Sequence, residues 1–320
     1  MDDYELQICD ERKEWNDFVA TSSQGNIFCQ TQFLDAHPQD YELLFIRNGG
    51  TNQLGALIAK EEDGQSTLNP FMYQGVLFDS SVANFPPHRR VKKSLGLVDY
   101  LLAELEQRYD RISFSLHHSF DDLRSFQWFH YHKPDLGQFK IDMSYTGILS
   151  LSDINNSESI LMNARTVRRQ EFHRALREGF LVEESNDVDI LNHLHGLTFQ
   201  RQARTRSNSE EYMATKLAES AISNGFGRLM ICKDKQGTPA SASLFLFDDK
   251  CGYYLIGAND PKYRKYGTGS YVLFEQIRWC LEQGLTTVDF VGINSPLRGD
   301  FKTSFNAVPM PYYTVTWKRP

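Results

Sequence analysis

The chain is poor in cysteine. Its five thiols (Cys9, Cys29, Cys232, Cys251, Cys280) are scattered over 320 residues, odd in number and without a C-x-x-C pair. That spacing predicts neither a disulfide framework nor a zinc site, and the thiols read as small core residues. Long apolar runs are also missing. No stretch approaches the roughly 18 residues of a membrane span, and the opening MDDYELQICDERKEW is acidic with no apolar leader core. The expectation is a soluble, cytoplasmic protein. Excess positive charge is absent too: a net charge of −7 argues against general nucleic-acid binding while leaving room for one local basic surface. There is no G-x-S-x-G, and no cysteine stands beside an evident histidine partner, so no covalent acyl-enzyme is expected. His130-x-His132 lacks a third ligand nearby, and His193-x-His195 would point to different helix sides, so no metal is expected either.

A chain of this length, 41% hydrophobic, should form two domains, each with its own core. The richest stretch is Cys251–Gly292. Tyr253–Ile256 reads as a strand; from Gly269 onward Leu273, Ile277, Cys280 and Leu281 fall at helical spacing; Gly284 stops that helix, and Val288–Ile293 reads as a second strand. Strand, loop, helix and strand in this order make parallel neighbours in a sheet. The loop, Arg264-Lys265-Tyr266-Gly267-Thr268-Gly269-Ser270, sets two glycines just before the helix. Free backbone N–H groups and the positive end of the helix dipole favour an anion there, and Lys262, Arg264 and Lys265 add cations suited to a diphosphate. Two readings stand for the glycines, a turn into the helix or a phosphate cradle.

The first half carries the same order. Leu43–Ile46, the turn at Asn48-Gly49-Gly50 and Leu54–Ala59 read as a hairpin, Phe71–Phe78 as a third strand, Leu97 to Leu105 as an amphipathic helix and Arg111–Leu116 as a strand. In the second half Leu229–Cys232, Ala240–Phe247 and the stretch above repeat it. A constant offset of 176 positions takes Leu97 to Leu273, Leu101 to Ile277, Leu105 to Leu281, Ile112 to Val288 and Phe114 to Phe290, which suggests duplication. With that offset Gly267 falls on Val91 and Gly269 on Lys93, so the first copy lacks a bare-backbone loop. It reads as a worn copy kept for packing or for binding the other substrate. Between the copies Ser157–Glu178 is expected as one helix, with Arg168 near its apolar stripe and therefore in need of an acidic or phosphate partner. Asp189–Arg201 and Glu210–Ser223 read as two further helices.

Arg264-x-x-Gly267-x-Gly269 between a strand and a helix resembles the R/Q-x-x-G-x-G/A loop of GNAT acyltransferases. The repeated sheet, Asp122-Leu123-Arg124-Ser125-Phe126-x-Trp128, Thr198-x-x-Arg201, Tyr253-Tyr254-x-x-Gly257-Ala258 and Phe301-Lys302-x-x-Phe305 extend the likeness over most of the chain, to the FemAB-type acyltransferases. The resemblance implies an α+β protein of two tandem GNAT-like domains, 1–147 with a degenerate loop and 148–320 with the acyl-CoA-type loop, each a mixed, mostly antiparallel twisted sheet flanked by helices. It implies an N-acyltransferase moving an acyl group from acyl-CoA, such as acetyl-CoA, to a primary amine of a small molecule, sugar or amino acid. The donor would lie on Arg264, Lys265, Tyr266, Gly267, Thr268, Gly269 and Ser270. In FemX-type members the donor is aminoacyl-tRNA and the acceptor an amine on a cell-wall precursor, so a role in cell-envelope biosynthesis, with tRNA as partner, is the alternative. A catalytically silent binding protein of the same fold is a third.

Amide formation from a thioester needs an oriented amine, a donor for the oxyanion and a path for a proton. Lys302, framed by Phe301 and Phe305, is a candidate contact for phosphate or oxyanion. Asp289, an acid in an apolar strand, is a candidate base, and Tyr254 a candidate donor. Asp79 follows Tyr73-Gln74-Gly75 and resembles the acid after the family's Y-x-R-G-P segment, although Gln74 replaces the arginine and the proline is absent. Arg201, Tyr73 and Arg168 are the expected substrate-binding residues.

Overall fold

In the computed structural model, which describes residues 3–61, 67–68, 71–154 and 156–320, the hairpin turn forms at Asn48-Gly49-Gly50. Both glycines take positive φ (57° and 80°), where any other residue would be strained. The chain divides into two units, Met1–Ser144 with Pro311–Pro320, and Tyr145–Met310.

The first unit holds β1 (Tyr4–Ile8), α1 (Arg12–Thr21), α2 (Thr31–Asp35), β2 (Tyr41–Asn48), β3 (Thr51–Lys60), β4 (Thr67–Leu68), β5 (Val76–Phe78), α3 (Ser80–Ala83), α4 (Pro87–Arg108), β6 (Arg111–Ser115) and α5 (Arg124–Trp128). β1, β2 and β3 are antiparallel neighbours, and β4 and β5 both pair with β3. α4 starts with proline at its first position, which needs no N–H there, and buries Leu97, Val98, Leu101, Leu102 and Leu105 against Leu44, Leu54, Ile112 and Phe114. Each fully buried leucine contributes about 2 kcal/mol of transfer free energy. The strand expected over Phe71–Phe78 is only Val76–Phe78, because Tyr73 takes φ 64° and turns the chain just before it.

β7 (Lys140–Ser150) leads into the second unit, which continues with α6 (Ser157–Asn163), α7 (Thr166–Glu178), β8 (Leu181–Glu184), α8 (Val188–Arg201), α9 (Asn208–Tyr212), α10 (Ala218–Ser223), β9 (Gly227–Lys233), β10 (Pro239–Phe247), β11 (Cys251–Asn259), α11 (Thr268–Glu282), β12 (Thr287–Asp289) and α12 (Pro296–Thr303). The order across its sheet is β7-β12-β11-β10-β9-β8. Only β11 and β12 run parallel, as the α11 crossover requires. The single helix expected over Ser157–Glu178 is two. Ala164 and Arg165 turn extended, and the Arg165 N–H donates to Ser304 O (2.8 Å), outside the helix. A π-type turn at Met213–Leu217 joins α9 to α10.

β13 (Val308–Lys318) closes the chain, and its Thr314–Lys318 pairs antiparallel with β6 in the first unit. Trp317 is buried there with Phe114 and Leu105. The sequence reading put the boundary after residue 147 and kept the last residues with the second half. Strand pairing assigns Pro311–Pro320 to the first unit. Four of the five offset pairs, Leu97 with Leu273, Leu101 with Ile277, Ile112 with Val288 and Phe114 with Phe290, are fully buried, although Phe290 lies one residue past the end of β12; Leu281, the partner of Leu105, is partly buried. No helix among the described residues is long and apolar enough to cross a membrane.

Candidate functional site

Three backbone pairs, Cys251 with Thr287, Gly252 with Val288 and Tyr253 with Asp289, join β11 to β12. β12 then ends, while β11 runs on to Asn259, so the sheet opens beyond Tyr253. Crevices at the carboxyl ends of parallel strands are where ligands bind in such sheets. The expected strand over Val288–Ile293 stops early because Val291 (φ 49°) and Gly292 (φ 80°) turn away.

Tyr254 is the first residue of that opening. Its ring packs on Phe245 and Phe290, and its hydroxyl lies in the space that a side chain at Gly257 would take. The hydroxyl makes no hydrogen bond among the described residues, and burial raises its pKa, so it remains a neutral donor at every physiological pH. Lys302 lies over the same ring at 5.4 Å. Its ammonium donates to Phe290 O (2.6 Å), Gly292 O (2.9 Å) and Val291 O (3.2 Å). All three donors of Lys302 are thereby engaged in holding the 290–292 turn. Burial draws its pKa down to about 8, although Asp289 favours the charged form. Asp289, 1% exposed, accepts from the Thr146 hydroxyl and from Val291 N–H (2.7 Å). The acid expected as a base thus fixes the same turn.

The glycine loop lies elsewhere along this edge. Pro261–Tyr266 forms a 3-10 turn, and Gly267 (φ 80°) caps α11. A Cβ added to Gly267 would sit 2.5 Å from the Glu171 Cβ and 2.8 Å from its Cα, because α7 packs directly on the loop. One added to Gly269 would sit 2.6 Å from Asn259 Oδ1. The Ser270 hydroxyl donates to the Glu171 carboxylate, which also pairs with Arg168 (2.8 Å), and Arg174 donates to Lys265 O (2.7 Å). The N-terminal turn of α11 therefore already faces an anion, the chain's own Glu171, and Thr268 and Ser270 are buried. Lys265 and Tyr266 stack on each other at 4.9 Å. Arg168 has the acidic partner its position demanded, and its guanidinium lies over Phe301 at 4.9 Å.

Arg201 ends α8 one turn after Thr198, whose hydroxyl accepts from Asn259 N–H (3.0 Å) and so ties α8 to the end of β11. Partial burial and the neighbouring Arg264 charge lower the Arg201 pKa. Neither Arg201 nor Arg264 makes an ion pair or a side-chain hydrogen bond among the described residues. The two guanidinium groups therefore leave local positive charge without a carboxylate partner among the described residues.

Tyr73 and Asp79 belong to the first unit. Tyr73 is 2% exposed, with its strained backbone held by Ser115, Asn26 and Cys29, and its ring against His117 (4.7 Å) and Tyr312 (5.4 Å). Asp79 caps α3, accepting from Ser81 N–H (2.9 Å). No group of three or more His, Cys, Asp or Glu able to hold a metal is found among the described residues. Sequence reasoning missed Glu171, Thr146 and the structural service of Thr198. Only the acid at position 171, three residues beyond Arg168, carried a local signal.

Residues 162–303 match the family profile described as the acetyltransferase (GNAT) domain. A search of curated proteins finds no match. Among solved structures the chain is similar to FemX (TM-score 0.71, 14% identity, 97% of this chain and 96% of that one). It is also similar to the tandem GNAT protein from the clavulanic acid biosynthesis pathway (TM-score 0.55, 10% identity, 98% of each chain). A third likeness is to the C-terminal domain of a putative lysylphosphatidylglycerol synthetase from Agrobacterium fabrum (TM-score 0.55, 12% identity, 95% and 91% covered). The fold is the tandem GNAT fold, and within it residues 162–303 carry the match to the acetyltransferase (GNAT) domain.

Proposed function

We propose that the second unit transfers an acyl group from a coenzyme A thioester to a primary amine at the opening of β11 and β12. The carrying observation is the unengaged Tyr254 hydroxyl at the point where the two strands part. In this reading the amine nitrogen attacks the thioester carbonyl, the C–N bond forms as the C–S bond breaks, and the nitrogen's proton ends on sulfur. Tyr254 donates to the developing charge and is reprotonated from the amine. Lys302 and Asp289 act as positioning residues, fixing the 290–292 turn that borders the opening. Arg201 and Arg264 hold the donor's phosphates, while the amides of Gly267, Thr268 and Gly269 join them only if Glu171 withdraws.

That last condition favours a second reading. With α7 seated on the glycine loop, the donor is an aminoacyl-tRNA whose phosphates use the two arginines and exposed Arg177, as the FemX-type resemblance implies. Calorimetry with coenzyme A and with aminoacyl-tRNA discriminates. Micromolar coenzyme A binding that Arg201→Ala and Arg264→Ala each weaken by roughly tenfold supports the thioester reading. Binding of aminoacyl-tRNA alone replaces it with the ligase, and binding of neither leaves a silent protein of the same fold.

A further inference from the structure

Strand β10 carries two serines on the face it turns to α11. Ala242 and Leu244 pack with Leu191 and Leu194 of α8, so Ser241 and Ser243, which alternate with them, point to the other side of the sheet. That side is otherwise apolar nearby: Phe245 and Tyr254 pack there with Leu273 and Ile277 of α11, and Met230 of β9 lies opposite Ser243. Ser241 is opposed by Cys232, so a thiol stands beside its hydroxyl. Ser243 has no such neighbour. It is fully buried, and its Oγ makes no hydrogen bond among the described residues.

Gln276 of α11, also fully buried, fixes this serine from behind without bonding to that oxygen. Its amide donates to Ser243 O (2.8 Å) and Arg228 O (3.1 Å), and its Oε1 accepts from Arg228 (3.0 Å). A buried hydroxyl left without a partner is unfavourable, and alanine would fill the position without that cost. Packing therefore does not account for the serine.

The unengaged hydroxyl of Tyr254 lies across the same strand pair. Ser243 and Gly257 are directly opposed in the β10–β11 ladder, and the Cβ positions of such a pair are about 5 Å apart. The Tyr254 oxygen sits 1.8 Å from the point that a Cβ of Gly257 would take. The two hydroxyls thus face the same space without bonding to each other, and a single water spans such a separation. Gly257, with no side chain, leaves room for that water and is itself partly exposed.

We propose that Ser243 is a positioning residue for Tyr254, acting through one bound water. The inference rests on the donor role given to Tyr254 above. The serine O–H donates to the water, the water donates to the phenol oxygen, and the phenol hydrogen is left pointing into the opening, toward the oxyanion. Hydrogen bonds running in one direction polarise one another, so the phenol becomes the stronger donor. Ser243 itself makes no bond to the substrate.

Two measurements test this. A crystal structure of the full chain should show an ordered water within hydrogen-bond distance of both Ser243 Oγ and Tyr254 Oη, and Ser243→Ala should lose it. A gap without water, or a direct bond between the two side chains, would overturn the proposal. In the second, transfer from acetyl-CoA to hydroxylamine is followed by release of the thiol. Ser243→Ala should lower kcat roughly tenfold with KM unchanged, and Ser243→Thr, which keeps the hydroxyl, should recover most of the rate. Added to Tyr254→Phe, Ser243→Ala should cost less than about twofold more, because the oxygen it serves is already gone. Losses that multiply in the double variant would give Ser243 a role apart from Tyr254 and overturn the proposal. Full kcat in Tyr254→Phe would remove the donor reading and this inference with it. If acetyl-CoA is not turned over at all, the thioester reading has failed by itself, and the water decides for or against Ser243.

Discussion

The Ser270 hydroxyl, in the first turn of α11, donates to the Glu171 carboxylate on α7, so two segments 99 residues apart in the chain meet at the glycine loop. The relationship changes what Gly267 is for. Its missing side chain admits the backbone of α7, which a phosphate would otherwise have approached.

Gly267→Ala is therefore expected to destabilise the fold by about 2 kcal/mol or more, since it combines positive φ with a backbone collision. Denaturant unfolding of the purified variant measures it, and an unchanged midpoint would mean that α7 does not rest on this loop. Glu171→Ala should have the opposite ligand effect, exposing the α11 N-terminus and tightening pyrophosphate binding in calorimetry.

Tyr254→Phe removes one hydroxyl and leaves the ring contacts with Phe245 and Phe290. For the donor role proposed above, kcat should fall about 100-fold with KM nearly constant. A raised KM with kcat unchanged would instead assign Tyr254 to binding. Stability should barely change, because the hydroxyl has no hydrogen bond to lose.

Lys302 gives a pH signature. Its folded pKa, about 8, lies below the ordinary lysine value of 10.5, so between these limits the unfolded chain binds more protons than the folded one. Stability attributable to this group should rise with pH across that window, by up to about 3 kcal/mol, and stay flat below it. Comparing unfolding free energies of the native chain and Lys302→Met from pH 7 to 10.5 isolates the slope. A difference independent of pH would place the ammonium in water.

His195 works at the acid end. Burial, and then the charge of Arg206, depress its pKa from 6.5 to about 4, with Glu210 opposing. The unfolded imidazole takes its proton near 6.5 and the folded one only near 4, so stability is lost as pH falls between them. Up to about 3 kcal/mol should disappear over that range, and His195→Asn should unfold with a shallower acid dependence. Parallel curves would refute the assignment.

Local pattern alone fixed much of this molecule. The hairpin at Gly49-Gly50, the buried stripe of α4, the strand–helix–strand around α11 and the repetition of apolar positions follow from periodicity and turn chemistry, which act between residues close in the chain. The superfamily likeness followed from those elements in order. Tertiary contact decided the rest. Whether Gly267 is a cradle or a packing surface depends on α7, whether Lys302 is free or bound depends on three carbonyls of another segment, and whether Tyr254 is a donor depends on the space above Gly257. The last strand joins the first unit because its hydrogen-bond partner is β6, about 200 residues earlier. A residue's type states which interactions it can make, and only the fold determines which of them are already taken.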